Sequence, residues 1–112
     1  MRAFLVGGLR LRVLVPTTRR ERMRGLLGTG RLSPTEGLLL ERTRSVHTFG
    51  MRFPIAAVLL DRSLTVLAVH RMPPRRLLLP RRRVRHVLEC HVDTPLRTGD
   101  RLVYSGRCPR TG

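Results

Sequence analysis

The segment PIAAVLLDRSLTVLAVHRM, residues 54–72, consists of two apolar runs on either side of the polar residues Asp61, Arg62 and Ser63. Short runs rich in Val, Ile and Leu, bounded by turn-forming residues, are typical of β-strands. An aspartate side chain can close such a turn by accepting hydrogen bonds from the backbone that follows it. The segment therefore predicts two strands joined by a turn.

Similar segments occupy most of the chain on both sides. Residues 3–6 and 9–15 flank Gly7-Gly8, a dipeptide that readily adopts the positive backbone angles of a tight hairpin. The remaining strand candidates are residues 37–41, 45–52, 81–92 and 98–104.

One helix is predicted among these strands. Thr18 and Glu21 stand three residues apart, as in a capping box, and they predict a helix over about residues 19–27. Short strands with one short helix predict a mainly-β fold, either an antiparallel sandwich or a small barrel. A chain of 112 residues suits a single domain with one core.

Membrane insertion and export are not predicted. The longest uninterrupted apolar run, residues 54–60, is far shorter than the roughly 18 residues of a membrane span. Arg10 and Arg12 interrupt the apolar part of the N-terminal region, which therefore does not resemble a secretory signal. We expect a cytoplasmic protein in which Cys90 and Cys108 remain reduced.

The charge of the chain is strongly positive. All 23 basic residues are arginines and only seven residues are acidic, which gives a net charge of +16. The absence of lysine is typical of a GC-rich genome, so we first interpret the arginines as a solvated surface. The alternative is a surface that binds nucleic acid or another polyanion, weakly and without sequence preference, because guanidinium groups contact phosphates well. The candidate residues are Arg75, Arg76, Arg81, Arg82, Arg83 and Arg85.

The order of several motifs resembles the bacterial and archaeal domain-of-unknown-function 192 family. These motifs are RMRGLLG (22–28), EGLLL (36–40), SVHTFGMRFPI (45–55), LLDRSLTVLAV (59–69), RHVLEC (85–90) and TGDRL (98–102). The resemblance covers about residues 8–104 and implies a jelly-roll-like β-fold with one helix, which leaves residues 105–112 as a flexible C-terminal tail. It implies no activity, because the family is uncharacterised.

One stretch within this resemblance supplies the candidate ligand site. Family members usually carry an acidic residue directly after Phe-Pro-Ile, and this chain has Ala56 there. On a strand, side chains two residues apart share a face, so His47 and Met51 flank Phe49 on an apolar face and we interpret both first as core residues. The alternative is a ligand site. Its candidate residues are His47, Met51, Arg52, Pro54 and Glu89.

A soft-metal site is a further alternative. If the strand of residues 45–52 lay beside that of residues 64–72, their histidines and methionines would form a set of ligands that suits Cu(I). The residues concerned are His47, Met51, His70 and Met72, with His86, Cys90 and His91 as further possible ligands.

Catalysis is not indicated by any motif. No serine lies in a nucleophile-elbow pattern, and no glycine-rich stretch has the spacing of a phosphate-binding loop. We therefore predict a non-enzymatic binding or accessory module without a cofactor. Its partner would be a protein or small molecule of unknown identity, and we expect a monomer or a weak dimer.

Overall fold

The computed structural model describes residues 1–16, 33–48 and 53–108. The helix that the sequence predicts over residues 19–27 lies outside these residues. The described residues form nine strands. These are β1 (Arg2–Val6), β2 (Leu9–Leu14), β3 (Glu36–Leu40), β4 (Val46–His47), β5 (Ile55–Leu60), β6 (Val66–Met72), β7 (Leu77–Leu78), β8 (His86–Cys90) and β9 (Val103–Arg107).

Seven of these strands form one sheet in the order β6-β5-β8-β3-β2-β1-β9, and β4 pairs with β7 in a small second sheet. The prediction of a mainly-β fold is confirmed. The large sheet is mixed, because β2 and β3 run parallel while its other pairs are antiparallel. The long connection between Leu14 and Glu36 gives the chain enough length to return in the same direction.

The two edge strands of the large sheet approach each other at one end. Thr65 and Arg101 form an isolated antiparallel bridge just before β6 and β9. The backbone amide of Val66 donates to the carbonyl of Asp100 at 2.7 Å, and the amide of Leu102 donates to the carbonyl of Leu64 at 3.0 Å. The sheet is therefore curled, and its first and last strands are joined at one end in the manner of a small barrel.

The central strands are buried on both faces of the sheet. Every residue of β5 is buried, which explains why its sequence is a continuous apolar run without alternation. Ala56, Val58 and Leu60 pack into a core cluster with Leu88, whereas Ala57 and Leu59 pack into a second cluster on the opposite face. β5 thus separates two apolar layers.

Two segments differ from their predicted structure. Residues 105–107, which we assigned to a flexible tail, belong to β9 and pair with β1. Their backbone is held by this pairing, with Arg107 opposite Arg2 and Gly106 opposite Ala3. Strand β7 lies in a proline-flanked stretch for which we predicted no strand.

Two further findings concern the cysteines and membrane insertion. Cys90 is a free, buried cysteine and Cys108 is also free. Among the described residues, no helix is long and apolar enough to cross a membrane.

Candidate functional site

The arginine-rich stretch between β6 and β8 lies against the short segment 42–48. Strand β4 pairs with β7, with Val46 opposite Leu78 and His47 opposite Leu77. This pairing holds the middle of the stretch in place. Six arginines of the stretch are exposed, and we call them the arginine platform: Arg75, Arg76, Arg81, Arg82, Arg83 and Arg85.

Thr48 anchors the first part of the arginine platform. Its side chain is fully buried, at 0% exposure. The Thr48 hydroxyl donates to the carbonyl of Pro73 at 2.7 Å and accepts from the backbone amide of Arg76 at 2.7 Å. The Thr48 carbonyl also accepts from the amide of Arg75 at 3.2 Å. The loop thus depends on one threonine of the SVHTFGMRFPI motif (45–55).

The anchored turn is conformationally unusual. Arg75 has a φ of 62°, in the left-handed region that residues with a Cβ rarely occupy. Such strained residues persist where their surroundings fix them, and here the contacts to Thr48 do so. Arg75 and Arg76 are exposed on this turn.

A second set of contacts holds the other end of the arginine platform. The Arg44 guanidinium donates to the carbonyls of Arg81 and Arg82 at 3.1 and 3.3 Å. The backbone of Arg85 is fixed on both sides, because its carbonyl accepts from the amide of Thr43 at 3.0 Å and its amide donates to the carbonyl of Leu60 at 2.8 Å. The platform is therefore built on a fixed backbone.

The arginine platform is not neutralised by the described acidic residues. Within the described part of the chain, the salt bridge made by an arginine joins Arg12 to Glu36 at 3.1 Å, on strands distant from the platform. The Asp61 carboxylate accepts from the amides of Ser63 and Thr65 and so closes its own turn. The platform consequently presents uncompensated positive charge.

Among the residues that the structure describes, Glu89 is the one buried carboxylate. It lies on β8 between Leu38 of β3 and Ala57 of β5. Its neighbours Leu88 and Cys90 pack into the cluster that contains Ala56, so Glu89 lies on the opposite face, with Ala57. Burial raises the pKa of Glu89 to about 7. Near neutral pH this carboxyl group is therefore poised between its two protonation states.

His70 shares this face of the sheet. It lies opposite Ala57 on β6, so its backbone is about 10 Å from that of Glu89, with the small Ala57 side chain between them. The Nε2 atom of His70 is buried and has no hydrogen-bond partner among the described residues. Burial lowers the pKa of His70, and the positive charge of Arg81 lowers it further. His70 and Glu89 thus place a buried imidazole nitrogen without a described partner and a buried carboxyl group on one apolar face.

The predicted ligand residues do not all enter this arrangement. Met51 and Arg52 lie outside the described residues. His47 is in β4, where its backbone pairs with Leu77, and Pro54 is exposed just before β5. Glu89 is buried on the second apolar face, and the ligand site that would unite these residues remains a prediction.

The residue that departs from the family pattern lies on the other side of the sheet. Ala56 is 1% exposed and packs in the cluster that contains Leu88 and Cys90. Glu89 and Ala57 face away from that cluster. An acidic residue at position 56 would therefore not lie on the face of Glu89, and its absence removes no charge from that face.

The pairing that the copper hypothesis needs is not present in the described strands. β4 pairs with β7, whereas β6 pairs with β5. The Nδ1 atoms of His86 and His91 accept from the amides of Arg42 and Asp93 at 3.1 and 3.0 Å. Burial, followed by the charge of Glu89, raises the pKa of Cys90 to about 11, against a hydrogen bond from Thr94 that lowers it. The described residues contain no metal-competent group of three or more His, Cys, Asp or Glu side chains.

Tyr104 is a surface residue that the sequence analysis missed. It was not among the candidate residues, and it is 54% exposed. It lines two adjacent cavities of about 370 and 390 Å³, both of which also contact Leu64. No signal in the pattern of β9 distinguishes this position, because Val103, Tyr104 and Ser105 are all exposed on a terminal strand.

Comparisons with known proteins identify a family but no activity. The model of the DUF192 family, described as "Uncharacterized ACR", matches residues 3–103. No match is found among curated proteins.

Two solved structures share the fold. A protein of unknown function from Novosphingobium aromaticivorans superposes with a TM-score of 0.77 at 16% identity, over 91% of this chain and 83% of the other. A proposed transcription regulator from Sinorhizobium meliloti superposes with a TM-score of 0.72 at 21% identity, over 95% of this chain and 93% of the other. At these identities the similarity establishes the fold alone.

Proposed function

This chain belongs to the DUF192 family of uncharacterised proteins, and we propose that it is a non-enzymatic binding module that takes a polyanion on its arginine platform. The observation that carries the proposal is the fixed backbone beneath the platform. Thr48 holds the turn at Arg75 and Arg76, while Arg44 holds the carbonyls of Arg81 and Arg82.

A fixed backbone favours binding because less conformational freedom is lost when a ligand engages the side chains. The arginine platform also lacks salt bridges to described carboxylates. A polyanion that contacts these arginines releases its own condensed counterions, and this release drives association.

Composition favoured a solvated arginine surface, whereas the fixed backbone of the platform favours a binding surface. Codon usage accounts for arginine in place of lysine, but it does not account for a buried threonine that holds an arginine turn. A merely solvated surface needs no such anchor. The geometry therefore supports the polyanion alternative over a purely solvated surface.

The proposal includes a compartment and an oligomeric state. We propose a cytoplasmic protein, because the free Cys90 and Cys108 suit a reducing compartment. We propose a monomer, or at most a weak dimer, because a net charge of +16 makes two copies repel each other.

The test is the salt dependence of binding to a labelled polyanion such as heparin. Affinity should fall steeply as salt rises, and replacing Arg81 and Arg83 by serine should reduce the slope of log K against log salt by about two, or about one per lost contact. The matched control replaces Arg10 and Arg97, which are exposed elsewhere and should reduce the slope less. Equal slopes for the two double variants, or no binding at low salt, would contradict the proposal.

The face of Glu89 and His70 supports a second proposal, a small-molecule or protein ligand at the site predicted from the sequence. Its specific observation is the buried Nε2 atom of His70, which has no partner in the described part of the chain, on the same face as the buried Glu89. Replacing Glu89 by glutamine should lower the affinity for any ligand found in a small-molecule screen and leave the affinity for heparin unchanged. A ligand bound equally well by the variant would exclude Glu89 from such a site.

A further inference from the structure

Tyr104 stands at the centre of a second positively charged surface, distinct from the arginine platform. We call it the Tyr104 cleft and define it by the two adjacent cavities that share Leu64 and Tyr104. Arg2 and Arg107 line the first cavity, and Arg62 and Arg101 line the second. The cleft lies at the seam where β6 and β9 meet.

The aromatic ring in the cleft contacts the core through Phe4. Tyr104 lies opposite Phe4 in the β1–β9 pair. The two rings meet edge to face, with centroids 5.8 Å apart and an angle of 64° between their planes. Phe4 is only 3% exposed, so it supports the ring from within the core while Tyr104 remains open to solvent. An exposed aromatic ring offers a face for stacking.

The charges around the ring are arranged at an energetic cost. Arg2 and Arg107 lie directly opposite each other in the β1–β9 pair and line the same cavity. Like charges at directly opposite positions destabilise a sheet. A bound anion between the two arginines would remove this repulsion.

The neighbouring acidic residues leave most of this charge uncompensated. The carboxylates of Asp61 and Asp100 accept from backbone amides of their own turns. Glu41 lines the first cavity, but it forms no salt bridge with a described arginine. Arg101 donates through Nε to the carbonyl of Ser63 at 3.4 Å, and its terminal nitrogens bond no other described residue.

The backbone of the cleft is strained as well. Leu64, which both cavities contact, has a φ of 62°. Left-handed residues other than glycine are uncommon and concentrate where a structure forms a binding or switch site. Leu64, the exposed ring of Tyr104 and the opposed pair of arginines therefore line the same cavity.

We propose that the Tyr104 cleft stacks a nucleobase between flanking phosphate contacts, so that the polyanion is single-stranded nucleic acid. The inference rests on the proposed polyanion function and names its ligand class. Stacking on an exposed aromatic ring beside arginines is how proteins bind single strands without reading their sequence. A duplex keeps its bases stacked on each other and cannot offer one to Tyr104.

The experiment compares two single strands that carry the same phosphates. One is an oligothymidylate, and the other is an abasic strand of equal length with no bases. Binding is measured by anisotropy of an end label at about 50 mM salt, where phosphate contacts are strong. The protein should bind the oligothymidylate about tenfold more tightly than the abasic strand.

Substitutions at Tyr104 test whether its ring causes the preference for the strand with bases. Tyr104→Ala should abolish the preference while retaining affinity for the abasic strand, and Tyr104→Phe should keep the preference. Replacing Arg81 and Arg83 by serine should lower the affinity for both strands by the same factor. Unchanged circular dichroism of each variant controls for folding.

The protein offers a direct spectroscopic signal of stacking. Tyr104 is the only tyrosine, and the chain contains no tryptophan. Its fluorescence should be quenched by the oligothymidylate and not by the abasic strand. Equal affinity for the two strands with unquenched fluorescence would overturn the base-stacking inference and leave polyanion binding intact. Failure to bind heparin and both strands would overturn both proposals.

Discussion

Glu89 couples the stability of the sheet to pH. Its pKa rises from the ordinary value of 4.5 to about 7 because the folded protein removes the carboxyl group from water. A group with a raised folded-state pKa contributes stability that is complete below its unfolded pKa and is lost as pH rises through its folded pKa. The loss therefore falls between about pH 4.5 and pH 7.

This linkage gives a prediction at the level of one residue. One pKa unit corresponds to about 1.4 kcal/mol, so ionisation of Glu89 should lower the free energy of unfolding by roughly 3 kcal/mol between about pH 4.5 and pH 8. Urea unfolding at the two pH values measures it, with Glu89→Gln as the comparison. Between these two pH values, Glu89→Gln should lose roughly 3 kcal/mol less stability than the wild type.

His70 does not account for such a difference. Its pKa is lowered, so its own contribution to stability increases as pH rises, which is the opposite direction. His70 is also present in both the wild type and Glu89→Gln, so its contribution cancels when their pH profiles are compared. Parallel pH profiles for the wild type and Glu89→Gln would contradict the assignment of a raised pKa to Glu89.

The sequence could predict burial at single positions but not what the buried polar residues do. Residues 45–52 were predicted to form one strand, and among the described residues of that range Val46 and His47 do so. The role of Thr48 depends on Pro73 and Arg76, which are distant in sequence and come into contact through the fold. The exposure of Tyr104 likewise depends on the seam between β6 and β9, which no local pattern encodes.

The elements of the fold carry a clearer signal in the sequence than the loops do. The two runs around Asp61 become β5 and β6, and Gly7-Gly8 joins β1 to β2. Apolar composition and turn residues suffice for these strands because they are buried or half-buried. The residues of β7 are exposed or half-buried and give no comparable signal, so its pairing with β4 could not be predicted.

The connection between β4 and the arginine-rich loop can be tested through Thr48. Thr48→Val removes the hydroxyl that bonds Pro73 and Arg76, whereas Thr48→Ser keeps the hydroxyl and loses only a methyl group. The valine variant should lose about 1 to 3 kcal/mol of stability, the cost of leaving buried polar groups unpaired. It should also bind heparin more weakly, because the turn at Arg75 is no longer fixed.

The local measurement is hydrogen exchange of the Arg76 amide, which donates to the Thr48 hydroxyl. Exchange should accelerate in the valine variant and remain slow in the serine variant. If serine accelerates exchange and weakens heparin binding as much as valine does, packing of the methyl group holds the turn, and the hydroxyl has no special role.

At the scale of the whole molecule, a curled sheet separates two positively charged surfaces. The arginine platform lies on the connection between the end of β6 and the start of β8, and the Tyr104 cleft lies where the start of β6 meets β9. The overall charge was evident from composition. The clustering of arginines over residues 75–85 was evident too, but the fixed backbone beneath them was not, because it depends on which backbone groups segment 42–48 contacts.

The most direct test of the platform is its footprint on the backbone. Amide chemical shifts of the labelled protein would be followed by NMR while inorganic polyphosphate, a polyanion without bases, is added at low salt. The account predicts that the largest shifts fall on residues 73–85 and on the contacting segment 42–48, with small shifts at the equally exposed Arg10 and Arg97. Shifts spread evenly over all exposed arginines would mean that the charge acts as a diffuse surface, and would contradict the platform.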